Sequence, residues 1–548
     1  MRILTILIVL ALTACNPLTK ADLLVYNGHI QTVDERMNEV EALVIHDGKI
    51  LDAGTKRDMQ SKYLPMVKKD LKGAHVYPGL IDAHCHFIGL AENHAQVNLI
   101  GTNSYEDVVQ RVEKFVQAAE TKPEFIIGRG WDQNDWELQE FPTNTIFNEL
   151  FPNTPVALTR VDGHAMIVNQ AALTRAGITP ETEIAGGEIQ RDEDGTLTGI
   201  LIDNPMMLVE AQFPALDEPR KRELLGWAQE YCLAYGLTTL SDAGLNREQI
   251  ELLDAMHEDG SLSLRVYAMI SNKPELVDHY LNAGTYKTDR LNVTSFKVYA
   301  DGALGSRGAA MREDYSDQDN HRGAMLSTPA QLRELATRLA QSEFQMNTHA
   351  IGDSANVEML RIYQDVLQGM QDKRWRIEHA QVMPSDGYAA YGDNIVPSVQ
   401  PTHATSDMYW AMDRLGEERI EHAYAYQTIL KNAGKIALGT DFPVEQVNPW
   451  LTFYAAVGRQ DTSGYPAGGF QMDQALTREQ ALRGMTIWAA YANKEDHEKG
   501  SLEVGKFADF IVINEDLMSV PLNKIPDLQV LETWIDGVQV YEAEPTAE

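Results

Sequence analysis

Two histidines close a predicted buried strand in the segment VYPGLIDAHCH. Side chains of a strand alternate between its two faces, so His84 and His86 point the same way, as two ligands of one metal ion must. Three later predicted strands end at His349, His379 and Asp441. One histidine at a strand end is more often a structural hydrogen-bonding group than a ligand. Several metal-type side chains at the ends of different strands together indicate a metal site.

A lysine occupies the middle of a further predicted strand, SFKVYADG. Phe296 and Val298 share one face of this strand, and Lys297 and Asp301 share the other. A buried ammonium group without a partner is costly, so Lys297 requires one. A salt bridge to Asp301 or to another inward carboxylate would supply it, and so would a role in the metal site. The residues alone leave both interpretations open.

These side chains lie on predicted strands that alternate with helix-like segments such as PAQLRELATRLAQS, the pattern of an α/β protein with a parallel sheet. Eight such strands fall between residues 78 and 495, the number that a TIM (β/α)8 barrel needs. They are VYPGLIDAHCH, GLTTLSDA, LRVYAMI, SFKVYADG, FQMNTHAIG, RWRIEHAQ, NIVPSVQPTH and KIALGTDF. About 140 residues separate the first two, far more than one βα unit needs. We therefore expect residues 90–225 to form an insertion over the barrel mouth.

Short strands with turn signals occupy both ends of the chain, residues 15–77 and 496–548. In the first of these ranges, the steps Asn27-Gly28 and Asp47-Gly48 lie between apolar runs, which is typical of β-hairpins. We expect one small composite β-sandwich domain built from both chain ends, with the barrel inserted between them.

The first residues predict an envelope location. Arg2 precedes an apolar run that is too short to span a bilayer, as in a signal peptide, and LTAC at residues 12–15 resembles the lipobox of bacterial lipoproteins. We expect removal of residues 1–14, a lipid anchor on Cys15 and attachment to the periplasmic side of the outer membrane. A plain signal peptide cleaved nearby is the alternative. The net charge of −34 argues against nucleic acid as a partner and leaves the anchor as the only membrane contact.

Several motifs together resemble the amidohydrolase superfamily. PGLIDAHCHF, the histidine strands, LGTDFPV and GKFADFIVI are similar to its hallmarks. KVYADGALGSR, THAIGD, RIEHAQ and GWD resemble the branch of YtcJ-like proteins and N-substituted formamide deformylase. The resemblance implies a barrel with a small β-domain and a metal-dependent hydrolase. Its substrate would be a small molecule with an amide-type C–N bond, an N-acyl or N-formyl compound.

The resemblance also implies a binuclear site, in which a carboxylated Lys297 bridges two divalent metal ions, with zinc expected. The other implied ligands are His84, His86 and Asp441 for one ion, and His349 and His379 for the second. A hydroxide bound by the metals would attack the carbonyl carbon. Asp441 would take its proton and deliver it to the leaving nitrogen.

Four residues are candidates for contacting the substrate. His164 in VDGHA is the first, as a hydrogen-bond donor to the developing oxyanion; a structural loop histidine is the alternative. Trp131, Arg307 and His403 are further candidates for lining the pocket. Equally, Trp131 would suit a core, Arg307 a pair with a surface carboxylate and His403 a loop cap. Cys85 lies between two inward residues and is expected to face away from the metals.

Other functions on the same scaffold remain open. Mononuclear deaminases resemble one another in an H-x-x-E motif after the fifth strand, but the corresponding HAIGD has Gly352 in place of the glutamate. An esterase or lactonase would use the same activated water. A lipid-anchored binding protein without catalysis is the alternative from another class, and a homodimer is possible for any of these functions.

Overall fold

The computed structural model describes residues 18–119 and 121–544. The predicted signal segment and Cys15 lie outside these ranges, so lipid attachment stays a prediction. Within the described ranges, no helix combines the length and the apolar character that crossing a bilayer requires.

Eight parallel strands form the barrel that the sequence predicts, and each pairs with the next one along the chain. They are Leu80–Cys85, Leu237–Leu245, Arg265–Ser271, Leu291–Tyr299, Gln345–Ala350, Trp375–His379, Ile395–Val399 and Ala437–Leu438. A short strand, Tyr286–Lys287, pairs antiparallel with the fourth. Just beyond the eighth strand, the Asp441 amide donates to the His84 carbonyl at 2.8 Å, and the His86 amide donates to the Phe442 carbonyl at 2.8 Å. These bonds join the first and last strands and close the TIM barrel.

Helices cover the outside of the barrel, and Pro329–Ala340 shows why they form. The Thr328 side chain accepts a hydrogen bond from the Gln331 amide at 3.3 Å, which caps the first turn. Leu332 and Leu339 recur at helical spacing and are buried. The other helices of this part of the chain are Phe87–His94, Glu218–Ala234, Arg247–Glu258, Pro274–Ala283, Asp353–Val366, Tyr388–Ala390, Pro401–Asp407, Ala411–Ile420, Tyr426–Ala433, Pro449–Gly458, Met472–Gln474, Arg478–Gly484, Ile487–Ala492 and Leu522–Asp527.

Strands from both chain ends form one eight-stranded sheet. They are Thr19–Gln31, Glu39–His46, Lys49–Gly54, Tyr63–Asp70, His75–Pro78, Phe510–Ile513, Val530–Ile535 and Val538–Glu542, with the helix Lys56–Lys62 beside them. Apolar side chains from both ends, among them Leu43, Val76, Phe510 and Trp534, meet in one cluster that contains no helix residue within the described ranges. A sheet whose two halves share one core has the layering of a β-sandwich.

The two turn signals of the N-terminal part behave differently. Asp47-Gly48 makes the expected hairpin turn. Asn27-Gly28 does not, because it lies inside the single strand Thr19–Gln31, where the pairing register shifts. Asn27 has a positive φ of 68°, and the strand changes partner along one edge near this point. The Asn-Gly step is therefore a bulge, and the hairpin prediction was wrong there.

Residues 90–225 contain a second sheet of six strands. The strands are Val97–Asn98, Ile126–Trp131, Val156–Arg160, Ala165–Val168, Gly187–Arg191 and Leu197–Asp203, and the helices are Tyr105–Ala118, Gln133–Asp135, Thr145–Leu150, Gln170–Ala176 and Met206–Glu210. The last two strands form an antiparallel pair within GGEIQRDEDGTLTGIL. Arg129, His164 and Asp203 from this sheet line the same cavity as the ends of the barrel strands. The inserted sheet and the barrel therefore build one site together.

Candidate metal centre and substrate cavity

The six predicted metal ligands converge at the carboxyl ends of the barrel strands. His84 lies near the end of the first strand and His86 directly follows it, Lys297 lies on the fourth, His349 on the fifth, His379 ends the sixth and Asp441 follows the eighth. Lys297 Nζ lies 2.8 Å from Nε2 of His84. The ring centres of His349 and His379 are 4.6 Å apart. Strand alternation and barrel closure thus bring together side chains that are far apart along the chain.

Lys297 is buried and has no acidic partner in the part of the chain that the structure describes. It is 1% exposed, and no carboxylate oxygen of the described residues lies within 4.0 Å of its amine. Asp301 instead accepts hydrogen bonds from the backbone amides of Ala310, Ile351 and Gly352. Burial lowers the pKa of Lys297 to about 8. The salt-bridge interpretation is therefore wrong for Asp301, and the neutral amine is accessible close to physiological pH.

Asp441 lies between the histidines. Its Oδ1 is 3.2 Å from His86 Nε2 and 3.7 Å from His84 Nε2, and its Oδ2 is 3.3 Å from His403 Nε2. Burial opposes ionisation, but the neighbouring side chains of His403 and His86 hold the pKa of Asp441 well below its usual range. Oδ1 is buried and accepts no hydrogen bond from the described residues. An ionised carboxylate with an unused buried oxygen suits a cation as its partner.

At this site of the described protein, two sets of three donor atoms are close enough to hold a cation, with every atom of a set within 4.8 Å of the others. The sets are His84, His86 and Asp441, and His379, His403 and Asp441. The first is the set that the resemblance implies. The second contains His403 in place of His349, whose Nε2 faces the Gly302 carbonyl oxygen at 3.3 Å. Imidazole and carboxylate donors in this number fit a divalent transition metal.

The pKa values of three candidate ligand histidines differ in direction from that of His403. Burial lowers the pKa of His84 to about 4 and the pKa values of His349 and His379 well below the usual value, so these rings are neutral, as metal ligands must be. Burial opposes protonation of His403 too, but hydrogen bonds to Asp441 and Glu445 raise its pKa to about 10. His403 is therefore a charged partner of Asp441 rather than a ready ligand.

Three side chains that the sequence motifs did not single out hold the histidines in place. Glu378 Oε2 lies 2.6 Å from Nδ1 of His84, and Glu378 Oε1 lies 2.6 Å from Arg376 Nε. Gln400 Oε1 lies 2.7 Å from Nδ1 of His379. Strand alternation in RIEHAQ would have placed Arg376 and Glu378 inside the barrel. No comparable signal marks Gln400.

The end of the sixth strand departs from regular geometry. Glu378 and His379 are consecutive, yet both reach the same site. His379 has a φ of +71° and Ala380 a φ of +44°, conformations that non-glycine residues rarely adopt. Asp441 shares this feature, with a φ of +63°. Unusual backbone at two candidate ligands is consistent with a functional site.

His164 enters the cavity from the inserted sheet. Its Nδ1 lies 2.6 Å from Oδ1 of Asp203, and its ring centre lies 5.1 Å from that of His349. Burial alone would lower the pKa of His164, but the hydrogen bond to Asp203 and the charges of nearby carboxylates together raise it. No sequence motif pointed to Asp203, which ends the hairpin strand. An imidazole held by Asp203 beside the metal-type residues is placed to donate to a substrate oxygen.

A cavity of about 740 Å³ opens over these residues. Of the four predicted substrate contacts, His164 and His403 line it. Its wall combines barrel-strand ends with loops of the inserted sheet, the setting in which ligand sites of this fold occur.

Trp131 and Arg307 do not line the cavity, so their assignment to the pocket was wrong. Trp131 is 0% exposed within the core of the inserted sheet, and its indole donates to the Leu158 carbonyl at 2.7 Å. Arg307 forms an ion pair with Asp317 at 2.9 Å. Cys85 packs in the apolar core away from the ligands, as expected. Trp131 is therefore a core residue of the inserted sheet, and Arg307 is bound by an acidic side chain.

Comparisons with known proteins agree with this site. Residues 69–541 match the amidohydrolase family. Protein LONG AFTER FAR-RED 3 of Arabidopsis thaliana is 33% identical over 95% of this chain and 92% of its own length. YtcJ of Bacillus subtilis is 29% identical, with 94% and 99% covered. The N-substituted formamide deformylase of Arthrobacter pascens is 26% identical, with 95% and 98% covered.

The fold also matches a solved structure, that of an uncharacterized metal-dependent hydrolase from Pyrococcus horikoshii. It is 28% identical to this chain, with a TM-score of 0.73, and the match covers 91% of this chain and 99% of that one. The region that matches the family contains every barrel strand and every candidate ligand. The chain therefore belongs to the amidohydrolase family.

Proposed function

We propose that this protein is a metal-dependent hydrolase that cleaves the C–N bond of an amide-type substrate, an N-acyl or N-formyl compound. The observation that carries the proposal is the convergence of neutral histidines, an ionised aspartate and a buried lysine that has no acidic partner among the described residues. Family membership supports hydrolysis, and the name of one relative, N-substituted formamide deformylase, supports the choice of bond.

The residues that would hold two ions are His84, His86, His349, His379, Lys297 and Asp441. Bound divalent cations, with zinc expected, would lower the pKa of a water and polarise the substrate carbonyl. Lys297 joins this set as a carbamate. Its neutral amine forms an N–C bond to CO₂ and loses one proton, which turns an amine into a carboxylate with two donor oxygens.

Protons are handled by side chains of the chain itself. Asp441 is ionised and lies among the ligand histidines, 3.2 Å from His86. In this position it accepts the proton of the attacking water and passes it to the leaving nitrogen. His164, held by Asp203, donates a hydrogen bond to the carbonyl oxygen as negative charge develops there.

The backbone around Gly352 argues against the deaminase alternative. A Cβ at this position would lie 2.1 Å from the Ala310 carbonyl oxygen, closer than any real contact. The glutamate of an H-x-x-E motif therefore cannot occupy this place without moving the neighbouring loop. Amide hydrolysis, which needs no such glutamate, is favoured over deamination.

Elemental analysis of protein lacking residues 1–15 tests the proposal, beside Lys297→Met. Lys273→Met is the matched control, because it removes an exposed lysine of the same cavity. We expect about two metal ions per chain in the wild type and the control. In Lys297→Met we expect loss of metal and of hydrolysis of N-formyl and N-acyl compounds, with an unchanged circular dichroism spectrum.

Two results would contradict the proposal. One ion per chain that is unaffected by Lys297→Met would remove the carbamate and the binuclear site. No ion after reconstitution, together with no hydrolysis of amides or esters, would favour a binding protein.

A further inference from the structure

Two arginines of the inserted sheet line the cavity, and only one of them is neutralised. Arg160 is buried and forms ion pairs with both Asp132 and Asp162. Arg129, in contrast, has no carboxylate oxygen of the described residues within 4.0 Å. Its one side-chain hydrogen bond within the described protein runs from Nη2 to the Val161 carbonyl oxygen at 3.0 Å. The cavity therefore holds a cation whose charge is not balanced by a direct contact.

Gly163 fixes the position of this cation. It has a φ of +77°, and a Cβ there would lie 2.9 Å from Nη2 and 3.3 Å from Nη1 of Arg129. Only glycine allows the guanidinium to lie against the loop so closely. Nη1 makes no hydrogen bond to the described residues, and the side chain lines the cavity. The guanidinium is held from one side and remains available from the other.

Arg129 lies next to the catalytic end of the cavity. Val161, whose carbonyl accepts its hydrogen bond, is three residues from His164, and three residues span at most about 10 Å. The His164 ring is in turn 5.1 Å from the ring of His349. One small molecule can therefore reach Arg129 while its carbonyl group lies beside His164.

We propose that Arg129 binds a carboxylate of the substrate, so that the substrates are N-acyl or N-formyl compounds that carry a carboxylate, such as N-acylated amino acids. The inference rests on the proposed function. Guanidinium N–H groups form a fork that matches the two oxygens of a carboxylate, and such charge-assisted bonds are the strong ones. Two lysines of the cavity also lack an ion pair among the described residues, but Lys297 belongs to the candidate metal set and Lys273 is exposed to water, so neither is proposed as the anchor.

A set of three formamides of similar length tests this assignment. N-formyl-β-alanine carries a carboxylate, N-(3-methylbutyl)formamide is its neutral isostere and N-(3-aminopropyl)formamide carries an amine. We expect the wild type to prefer the carboxylate. Arg129→Met should lower kcat/KM for it on the order of 10- to 100-fold, and change the neutral compound by less than about 2-fold. Arg129→Lys should keep part of the preference, and Lys273→Met should keep all of it.

Three outcomes overturn the assignment. Equal losses on charged and neutral compounds in Arg129→Met would make Arg129 a support for the Val161–His164 loop. Loss of preference in Lys273→Met instead would move the anchor to that residue. A wild-type preference for the amine compound would show that the site favours a positively charged substrate, which is the opposite of the assignment.

A binding measurement separates this inference from the proposed function. If no formamide is hydrolysed, titration calorimetry with N-formyl-β-alanine compares the wild type with Arg129→Met. Binding that is lost in the variant would support the anchor although the proposed reaction had failed. No binding to the wild type would overturn the anchor.

Discussion

Glu378 Oε2 lies 2.6 Å from Nδ1 of His84, and both side chains are 0% exposed. The contact places the ring proton on Nδ1, so Nε2 of His84 carries no proton. Nε2 lies 2.8 Å from Lys297 Nζ. The other Glu378 oxygen faces Arg376, which keeps the carboxylate ionised. A carboxylate behind a histidine orients the ring and makes it a better donor to a metal. The geometry of the candidate centre therefore depends on a residue that would not touch the metal.

Replacing Glu378 by glutamine should weaken metal binding by about 10- to 100-fold, because the amide keeps the volume but loses the charge that holds His84. Competition with a chromophoric chelator measures the affinity. Glu92→Gln is the control, since Glu92 lines the cavity and forms no side-chain hydrogen bond or ion pair with a candidate ligand among the described residues. Equal affinity in the wild type and Glu378→Gln would contradict the orienting role.

The lowered pKa of Lys297 predicts a pH-dependent stability of the metal-free protein. The pKa is about 8 in the fold against 10.5 for the free side chain. Between these two pH values the unfolded chain binds more protons than the folded chain, so the free energy of unfolding rises with pH across this window. Below the lower value the lysine is protonated in both states, and the folded protein bears the full cost of burying the ammonium group. The difference between the two pKa values corresponds to about 3 kcal/mol.

Urea unfolding of metal-free wild type and Lys297→Met at several pH values isolates this effect, because other titrating groups cancel in the comparison. The free energy of unfolding of the wild type should gain about 3 kcal/mol relative to the variant from the lower to the upper end of the window. A difference that stays constant with pH would show that the pKa of Lys297 is not lowered in the fold.

The barrel and most of the candidate ligands followed from local rules. Strand alternation placed His84, His86 and Lys297 inside, and the rule that barrel strands end at the active site brought them together. His379 lies at the candidate site although its backbone breaks alternation, and the motif around it had pointed to this position. Sequence reasoning was sufficient where one strand or one motif determined the position.

Long-range packing determined the rest. Trp131 and His164 both belong to the inserted sheet, and only the three-dimensional packing directs one into the core and the other into the cavity. Asp203 gained its role by lying 2.6 Å from His164, at a sequence distance of 39 residues. Gln400 likewise matters only through its contact with His379. Such partners cannot be predicted from periodicity, because periodicity describes one helix or strand at a time.

The His164–Asp203 pair predicts the alkaline limit of activity. Asp203 raises the pKa of His164, so the protonated donor persists to higher pH than an isolated imidazole would allow. Asp203→Asn should lower that pKa, and the alkaline fall of kcat/KM should move to lower pH. Asp192→Asn, an exposed carboxylate of the same hairpin, is the control. An alkaline limb that does not move, while the His164 resonance titrates at lower pH in NMR spectra, would remove His164 from the rate-limiting chemistry.

Trp131→Ala should damage stability rather than selectivity. The indole is fully buried among Trp136, Phe141 and neighbouring aliphatic groups, and its N–H bonds to the Leu158 carbonyl. Deleting it leaves a cavity and removes a hydrogen bond to the Leu158 carbonyl, at a cost of about 3–5 kcal/mol in the free energy of unfolding. Arg307→Ala is the counterpart, since its partly exposed ion pair contributes at most about 1 kcal/mol.

Denaturant unfolding of both variants gives these free energies, and formamide selectivity is measured on the folded fraction. We expect Trp131→Ala to retain the wild-type ratio of kcat/KM between N-formyl-β-alanine and its neutral isostere, because no part of the indole lines the cavity. A changed ratio at full stability would return Trp131 to the substrate pocket. An unchanged ratio with a large loss of stability would show that the inserted sheet is held together independently of the surface it presents to the substrate.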